Sequence, residues 1–349
     1  MERPHRTYWP TRDWRSTSAQ ELGANASNLE QMHTYASSLS CIHSIVLIKS
    51  GFIVFEEYYQ GWHPYRYHNV MSITKTIVAS LVGIALRDGY LQSVEQRLLD
   101  FFPEYAPATI DPRKQAITLR HLLTMKSGYD QPNASQLFKG TTDFLDESDT
   151  VIKILDRPMK HAPGQEYSYD NMNTHLLGHI LTRVTGMNLA HFAYTKLFQP
   201  LGIWQDENGK PFPWRQNLHL LDQRHPFGLW DEHNDYPWSV DRSGNYIGSF
   251  GLQLTPREMA KYGYLYLNEG RWDGQKIIPA SYFVETMQHG YIKQFANWHR
   301  HPTFFNTGAL EQAVAVVPDL DLVAVMTAFC DAHNHLKDVI IDLAIPAFV

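Results

Sequence analysis

The sequence predicts an α+β fold in which an antiparallel sheet is built from both chain ends, is flanked by helices and is interrupted by an inserted, mainly helical region. Near the N-terminus, 44–50 and 52–59 are rich in β-branched and aromatic residues and meet at a Ser-Gly pair, which is typical of a hairpin turn. Near the other end, 312–317 and 322–329 flank a Pro- and Asp-containing turn in the same way. Between them, 105–200 contains four segments with apolar residues every three to four positions, as in amphipathic helices.

This order of elements predicts a discontinuous sheet domain, 1–104 and 240–349, around a mainly helical domain, 105–239. Within and just beyond the helical domain, 201–245 lacks periodicity and is rich in Trp, Pro and Asp. A long irregular segment of this kind is typical of a lid or a pocket wall. The alternative is a surface loop held by its own aromatic side chains.

The composition excludes several classes of protein. The 349 residues are 44% hydrophobic and 19% charged, as in ordinary globular proteins, and they contain no run of about 18 apolar residues that could span a membrane. The formal net charge is −6 and there is no long basic run, which argues against nucleic-acid binding. We therefore expect a small-molecule partner, while the oligomeric state is not predicted.

The N-terminus and the cysteines bear on the cellular location. The first 23 residues contain charges and prolines where a secretion signal has about 7–15 apolar residues, so we expect a cytoplasmic protein. Cys41 and Cys330 are the only cysteines, and they lack the spacing of metal ligands. We expect both to be free, buried thiols.

A serine and a lysine lie one helical turn apart where a very apolar segment begins. Ser72 and Lys75 form the only S-x-x-K in the chain, and the residues that follow predict a buried helix over 72–88. Burial lowers the pKa of a lysine, which can then accept the serine proton, and a helix N-terminus favours negative charge near the serine. The alternative is an N-cap serine followed by a lysine that extends to solvent. The spacing makes Ser72 a candidate nucleophile and Lys75 its candidate base.

A Y-x-N pair can complete such a site, because a phenol can relay a proton to the leaving group and an amide can position the substrate. The chain contains three such pairs, which begin at Tyr67, Tyr169 and Tyr266. Only Tyr169 follows a turn and precedes a predicted helix, so that it and Asn171 can face a cleft. The other two pairs are better explained by packing and by a helix end.

The third expected feature is a strand whose backbone approaches a substrate closely and donates N–H groups to an oxyanion. Asn306, Thr307, Gly308 and Ala309 directly precede the C-terminal hairpin. A second Thr-Gly pair, which ends at Gly186, terminates a predicted helix, where glycine is a common C-cap. We therefore predict that the four residues from Asn306 to Ala309 line the site.

Together these features resemble the serine β-lactamase and penicillin-binding-protein-like superfamily, in which S-x-x-K carries the nucleophile. The similarity is greatest to its class C-like branch, which includes carboxylesterases, D-aminopeptidase-like enzymes and the 6-aminohexanoate-dimer hydrolase. It extends over nearly the whole chain, through MSITKT (71–76), LRHLLTMKSGYD (119–130), PGQEYSYDNMNTHLLGHILTRVTG (163–186), GSFGLQLTPREMAKYGYLYLNEGRWDGQKIIP (248–279) and FNTGALEQAVAVVPDLDLVAV (305–325). The resemblance implies a β-lactamase/transpeptidase-like fold.

The resemblance also implies a role for each candidate residue. Ser72 would be acylated, Lys75 would act as its base, and Tyr169 would pass the proton to the leaving group and later help to activate water. Asn171 would orient the substrate. The backbone N–H groups of Ser72 and Ala309 would form the oxyanion hole, with the preceding glycine permitting the close approach. No metal or organic cofactor is implied.

Two positions depart from the pattern of these relatives. Relatives that act on β-lactams or peptidoglycan stems usually have a lysine where this chain has Asn306, and its charge holds the substrate carboxylate. The change favours neutral esters or amides, although another basic residue could compensate. Asp170 stands where relatives commonly have a serine. Its carboxylate could hold Lys75 charged, which would weaken the assignment of Lys75 as the base.

Other catalytic arrangements have less support. His175 and His179 are four residues apart, as metal-binding pairs often are. However, no glutamate follows the first histidine and no third ligand is evident, so we expect no metal site. The pattern G-x-S-x-G is absent, which leaves a Ser-His-Asp α/β-hydrolase without local support.

We therefore predict a serine hydrolase, an esterase or amidase that acts on small substrates through an acyl-enzyme intermediate. Activity of the β-lactamase or D-Ala-D-Ala-peptidase type is the first alternative. A non-catalytic protein that only binds a ligand is the second, because a fold does not dictate a function. The joint presence of Ser72, Lys75 and Tyr169 argues against this second alternative.

Overall fold

The computed structural model describes residues 6–105, 110–130, 150–205, 238–291, 294–330 and 334–349. The strands are β1 (Ile42–Lys49), β2 (Phe52–Tyr58), β3 (His68–Asn69), β4 (Gln253–Leu254), β5 (Arg271–Trp272), β6 (Gln275–Lys276), β7 (Gln294–Trp298), β8 (His301–Gly308), β9 (Gln312–Val317) and β10 (Leu322–Ala328). The helices are α1 (Ala26–Ser37), α2 (Ile73–Arg87), α3 (Leu119–Leu123), α4 (Thr150–Asp156), α5 (Asn171–Thr185), α6 (Leu189–Ala193), α7 (Gln199–Leu201), α8 (Pro256–Leu267) and α9 (Ala280–His289). A π-helical segment (Tyr194–Phe198) joins α6 to α7, and a C-terminal helical segment comprises π-helical Lys337–Ala344 and 3-10-helical Ile345–Phe348.

Six strands form one antiparallel sheet in the order β2-β1-β10-β9-β8-β7. The N-terminal hairpin joins the C-terminal strands because β1 pairs with β10, which places Val46 opposite Val325 and Ile48 opposite Val323. This arrangement confirms the predicted sheet from both chain ends. The pairs β3–β4 and β5–β6 form two separate, two-stranded ribbons.

Both faces of the six-stranded sheet are covered, which explains why its central strands β1, β9 and β10 are apolar at consecutive positions. On one face, Val46 and Val325 pack with residues of α2 and α8 in the larger core. On the opposite face, Leu47 and Met326 pack with α1 and the C-terminal helical segment. Because successive side chains of a strand point to opposite faces, neighbouring residues enter different cores.

Helix α2 lies within the larger core, and its side chains from Ile73 to Ala85 are all buried. It ends at Arg87, two residues before Gly89, whose φ of +79° is the left-handed conformation that favours glycine after a helix. These bounds agree with the helix predicted over 72–88. The position of α2 fixes Ser72 at the point where the chain leaves β3 and enters the core.

The two cysteines form a disulfide bond, so the prediction of free thiols is wrong. The Cα atoms of Cys41 and Cys330 lie 5.1 Å apart. Cys41 directly precedes β1 and Cys330 closely follows β10, and the pairing of these strands brings together residues 289 positions apart. Disulfides persist mainly in oxidising compartments, so the bond does not favour the expected cytoplasmic location, which stays a prediction.

Most of the irregular segment 201–245, including Trp214 and Trp230, lies outside the described residues, so its predicted part in a pocket stays a prediction. Near its ends, Trp204 and Trp238 are buried with their ring centroids 6.3 Å apart. The predicted division into a sheet domain and a helical domain also stays a prediction. In the described part of the chain, no helix is both long and apolar enough to cross a membrane.

Candidate active site

A strained turn presents Ser72 at the start of α2. Met71 adopts a left-handed conformation with φ of +51°, which is unfavourable for a residue with a side chain. The side-chain Oδ1 of Asn69 accepts hydrogen bonds from the backbone N–H of Met71 at 2.9 Å and of Gly251 at 3.3 Å. Asn69 therefore holds the turn by one hydrogen bond within it and one to a distant segment of the chain. The Ser72 hydroxyl makes no capping hydrogen bond with α2, which leaves it available for other partners.

The structure brings Ser72, Lys75 and Tyr169 together. Lys75 Nζ donates to Ser72 Oγ at 2.9 Å, and Tyr169 Oη lies 2.6 Å from Ser72 Oγ, where either hydroxyl can donate. Lys75 Nζ also lies 5.0 Å from the centre of the Tyr169 ring. One hydroxyl thus contacts both an amine and a phenol, which is the geometry that proton transfer from a nucleophile requires.

The environment of Lys75 favours its neutral form. The side chain is only 1% exposed, and burial lowers its pKa below the ordinary value of a lysine, while Tyr169 and Asp170 act in the opposite direction. Besides Ser72, Nζ donates to the carbonyl oxygen of Ser249 at 2.7 Å. A buried amine with a lowered pKa can accept a proton near neutral pH.

The pKa of the Tyr169 hydroxyl is also lowered, but by its polar neighbours and not by burial. Burial would raise its pKa, but the charge of Lys75 and hydrogen bonds with Lys75 and Ser72 outweigh this effect, so the pKa is lower than that of an ordinary tyrosine. The residue as a whole is 37% exposed, although its hydroxyl lies against two partners. The ring therefore forms part of the site surface while its oxygen faces the nucleophile.

The carboxylate of Asp170 is engaged away from Lys75. Arg157 Nη1 donates to Asp170 Oδ2 at 2.8 Å, and both side chains are only 5% exposed. The other oxygen, Oδ1, accepts from the backbone N–H of Met172 at 2.9 Å and so caps α5. Asp170 still raises the pKa of Lys75, but less than burial lowers it. Its main contact is an ion pair that holds the residues next to Tyr169.

The end of β8 packs against the turn that presents the serine. A Cβ atom added to Gly308 would lie 2.5 Å from the carbonyl oxygen of Val70 and 2.7 Å from Cβ of Met71. Only glycine permits this approach, which brings Ala309 beside the start of α2. The role of the Ala309 N–H in an oxyanion hole stays a prediction.

The remaining candidates lie on α5 and β8. Asn171 is the first residue of α5 and is buried, two residues after Tyr169. Asn306 lies on β8 opposite Val314 and is 6% exposed, and its Oδ1 has no hydrogen-bond partner among the described residues. Thr307 follows it and is partly buried. Their roles in substrate binding stay predictions.

Sequence reasoning did not identify three residues that support the cluster. These are Ser249, which accepts from Lys75 through its carbonyl oxygen, Asn69, which holds the nucleophile turn, and Arg157, which pairs with Asp170. Gly248, which directly precedes Ser249, was an available signal, because it would clash with α5 if it carried a Cβ. Asn69 is the asparagine of the Y-x-N pair that begins at Tyr67, whereas no local pattern marks Arg157.

The histidine pair lies outside the catalytic cluster. His175 and His179 face Asp241, which lies in the segment that leads to Ser249. This carboxylate is the third group that was not evident in the sequence.

Two named relatives share part of this sequence. A 6-aminohexanoate-dimer hydrolase from Paenarthrobacter ureafaciens is 20% identical over 260 residues, which cover 72% of this chain and 58% of that protein. Esterase EstB from Burkholderia gladioli is 29% identical over 142 residues, which cover 38% of this chain and 36% of that protein. The chain spans less than two thirds of the length of either relative. Both relatives are named as hydrolases.

The fold and the family follow from two further similarities. The structure of a class C β-lactamase from Rhodobacter sphaeroides has a TM-score of 0.61 and 17% sequence identity, and the match covers 93% of this chain and 99% of that chain. This match confirms the predicted β-lactamase/transpeptidase-like fold. The sequence pattern of the family described as Beta-lactamase matches residues 43–335, which is well over half of the chain. The chain therefore belongs to the β-lactamase family.

Proposed function

We propose that this protein is a serine hydrolase that cleaves small, neutral esters or amides through an acyl-enzyme intermediate. The observation that carries the proposal is the contact of Ser72 Oγ with Lys75 Nζ at 2.9 Å and with Tyr169 Oη at 2.6 Å. Both partner groups have pKa values below their ordinary ones, so each can exchange protons closer to neutral pH.

In the acylation step, Ser72 Oγ attacks the substrate carbonyl carbon and its proton moves to Lys75. Burial favours the neutral amine that this transfer requires. The proton then passes to the leaving alcohol or amine through Tyr169, which lies beside both Ser72 and Lys75. The bond between the carbonyl carbon and the leaving group breaks, and the acyl group remains on Ser72. The charge on the carbonyl oxygen is stabilised by the N–H groups of Ser72 and Ala309.

In the deacylation step, Tyr169 gives its hydroxyl proton to neutral Lys75 and takes a proton from a water molecule, whose oxygen attacks the acyl carbon. The bond to Ser72 Oγ breaks, Lys75 returns its proton to the serine and the carboxylic acid leaves. No step requires a metal ion or an organic cofactor. Asn171, at the start of α5, orients the substrate beside Tyr169.

The preference for neutral substrates rests on Asn306. A lysine at this position would hold a substrate carboxylate, whereas an uncharged amide cannot form an ion pair. The names of the two relatives, an esterase and a 6-aminohexanoate-dimer hydrolase, support ester and amide bonds as the bonds that are cleaved. Cleavage of β-lactams, whose recognition elsewhere uses a carboxylate, is the alternative.

The nucleophile is tested with a phosphonate probe that reacts with activated serines. We expect one adduct on the wild type and none on Ser72→Ala. Ser93→Ala is the matched control, because Ser93 Oγ only accepts a local backbone hydrogen bond at an exposed site. A wild type that forms no adduct would favour the ligand-binding alternative.

The substrate class is tested by comparing turnover of a neutral aryl ester, a linear amide and a chromogenic cephalosporin, with Ser72→Ala as the blank. We expect the ester or the amide to react faster than the cephalosporin. Asn306→Lys should improve the cephalosporin relative to the ester. Turnover of the cephalosporin alone by the wild type would contradict the proposed preference.

A further inference from the structure

Three potential metal ligands converge beside α5. His175 and His179 lie one turn apart on this helix, and Asp241 approaches them from the segment between Trp238 and Leu252. The side chains of His175 and Asp241 are fully buried, whereas His179 is 11% exposed. The cluster therefore lies in the protein interior, and among the described residues it reaches solvent at His179.

The distances in this cluster match the edges of a tetrahedral metal site. The two Nε2 atoms lie 3.2 Å apart, and Asp241 Oδ2 lies 3.3 Å from Nε2 of His175 and 3.7 Å from Nε2 of His179. A tetrahedral zinc with bonds of about 2.0–2.2 Å separates its ligand atoms by about 3.3–3.6 Å. Each observed distance is longer than the 2.7–2.9 Å or so of a charge-assisted hydrogen bond.

We propose that His175 Nε2, His179 Nε2 and Asp241 Oδ2 bind one divalent metal ion of the zinc type. Two imidazoles and one carboxylate are ligands that zinc prefers, and a water molecule that enters near His179 would complete the tetrahedron. This inference departs from the sequence-based expectation of no metal site, because the third ligand is distant in sequence from the histidine pair. It does not depend on the proposed hydrolase function.

The surroundings both support and oppose binding. The backbone N–H of Asn245 donates to Asp241 Oδ1 at 2.8 Å and so orients the carboxylate, as outer contacts of metal ligands commonly do. Against this, the N–H of Gly248 donates to His175 Nδ1 at 3.3 Å. A metal on Nε2 requires the proton on Nδ1, so binding breaks this long contact and shifts Gly248. The metal-free protein instead keeps the His175 proton on Nε2, directed at Asp241.

Metal binding would fasten α5 to the segment that carries part of the catalytic cluster. Gly248 directly precedes Ser249, whose carbonyl oxygen accepts from Lys75 at 2.7 Å. The ion would therefore act as a structural clamp behind the candidate active site. It takes no part in bond breaking.

The proposal is tested with tag-free protein that has been stripped with a chelator and dialysed. Zn²⁺ is added, and the bound metal is measured by equilibrium dialysis with elemental analysis. We expect one zinc per wild-type chain, and an affinity at least about 100-fold weaker for His179→Ala. His191→Ala is the matched control, because His191 is an exposed histidine on α6, and its zinc binding should equal that of the wild type. His179 is partly exposed, so its substitution should not prevent folding.

Two further readouts decide the outcome. Zn²⁺ should raise the thermal midpoint of the wild type and of His191→Ala but not that of His179→Ala. Co²⁺ in place of Zn²⁺ should give the intense visible bands of a four-coordinate ion in the wild type. His179→Ala should not show these bands. Equal zinc binding by the wild type and His179→Ala, absence of binding by both, or only the weak spectrum of octahedral cobalt would overturn the proposal.

Discussion

Replacing Arg157 with methionine should destabilise the protein far more than the same change in a comparable surface ion pair. Arg157 and Asp170 lie 2.8 Å apart with side chains only 5% exposed. The loss of one partner leaves a buried charge without compensation, which costs about 3–5 kcal/mol. For 349 residues, the unfolding entropy is roughly 0.7 kcal/mol/K, so the thermal midpoint should fall by about 4–7 °C.

The chain contains a closely matched control. Arg157 donates to the backbone carbonyl of Asp130 and lies over the ring of Tyr129, in addition to its ion pair. Arg183 likewise pairs with a carboxylate, that of Glu104, donates to a backbone carbonyl and lies over an aromatic ring. Its side chain is 44% exposed, however, and that of Glu104 is 52% exposed. An exposed pair contributes about 0–1 kcal/mol, so Arg183→Met should lower the midpoint by less than about 1.5 °C.

The assay is thermal unfolding followed by circular dichroism at fixed pH and salt concentration. The double variant Arg157→Met/Asp170→Asn should recover part of the loss, because it removes the uncompensated charge while asparagine can still cap α5. Equal decreases for Arg157→Met and Arg183→Met would refute the reasoning. The same holds if the double variant were no more stable than Arg157→Met.

Lys75→Arg should lower kcat/KM on the ester at least about 100-fold, because a guanidinium does not give up its proton, and near-normal activity would contradict the role of the lysine as base. Gly308→Ala should lower kcat/KM at least about 10-fold, since its Cβ would lie 2.5 Å from a backbone oxygen of the nucleophile turn, whereas Gly178→Ala should be tolerated because its nearest contact is a leucine methyl at 3.0 Å. Cys41→Ser should cost about 2–5 kcal/mol in denaturant unfolding and make stability insensitive to reductant; reductant-independent stability of the wild type would contradict this. Burial and a nearby arginine lower the pKa of His43 to about 4. The neutral imidazole therefore contributes fully to the free energy of unfolding above about pH 6.5, and this free energy falls by up to about 3 kcal/mol as the pH decreases toward 4. His43→Phe should remove this part of the pH dependence, and an unchanged dependence of stability on pH would contradict the role of His43.

Local patterns in the sequence determined much of the fold. The hairpins at the two chain ends are encoded by β-branched and aromatic runs that meet at turn residues, the buried helix after Ser72 is encoded by a mostly apolar run, and both are present in the structure. Such signals depend only on residues within a few positions of one another. The spacing of Ser72 and Lys75 is of the same kind, because one helical turn fixes their separation whatever the rest of the chain does.

Only the tertiary structure decided which distant groups meet. The pairing of β1 with β10 joins Cys41 to Cys330 across 289 residues, and no feature near either cysteine distinguishes a disulfide from two free thiols. In the same way, Arg157 neutralises Asp170 and Asp241 reaches the histidine pair only because packed elements bring them into contact. The sequence by itself determined the elements and the residues within one turn of the nucleophile. Contacts between distant segments depend on burial and charge compensation over the whole chain, and therefore only the folded protein determines them.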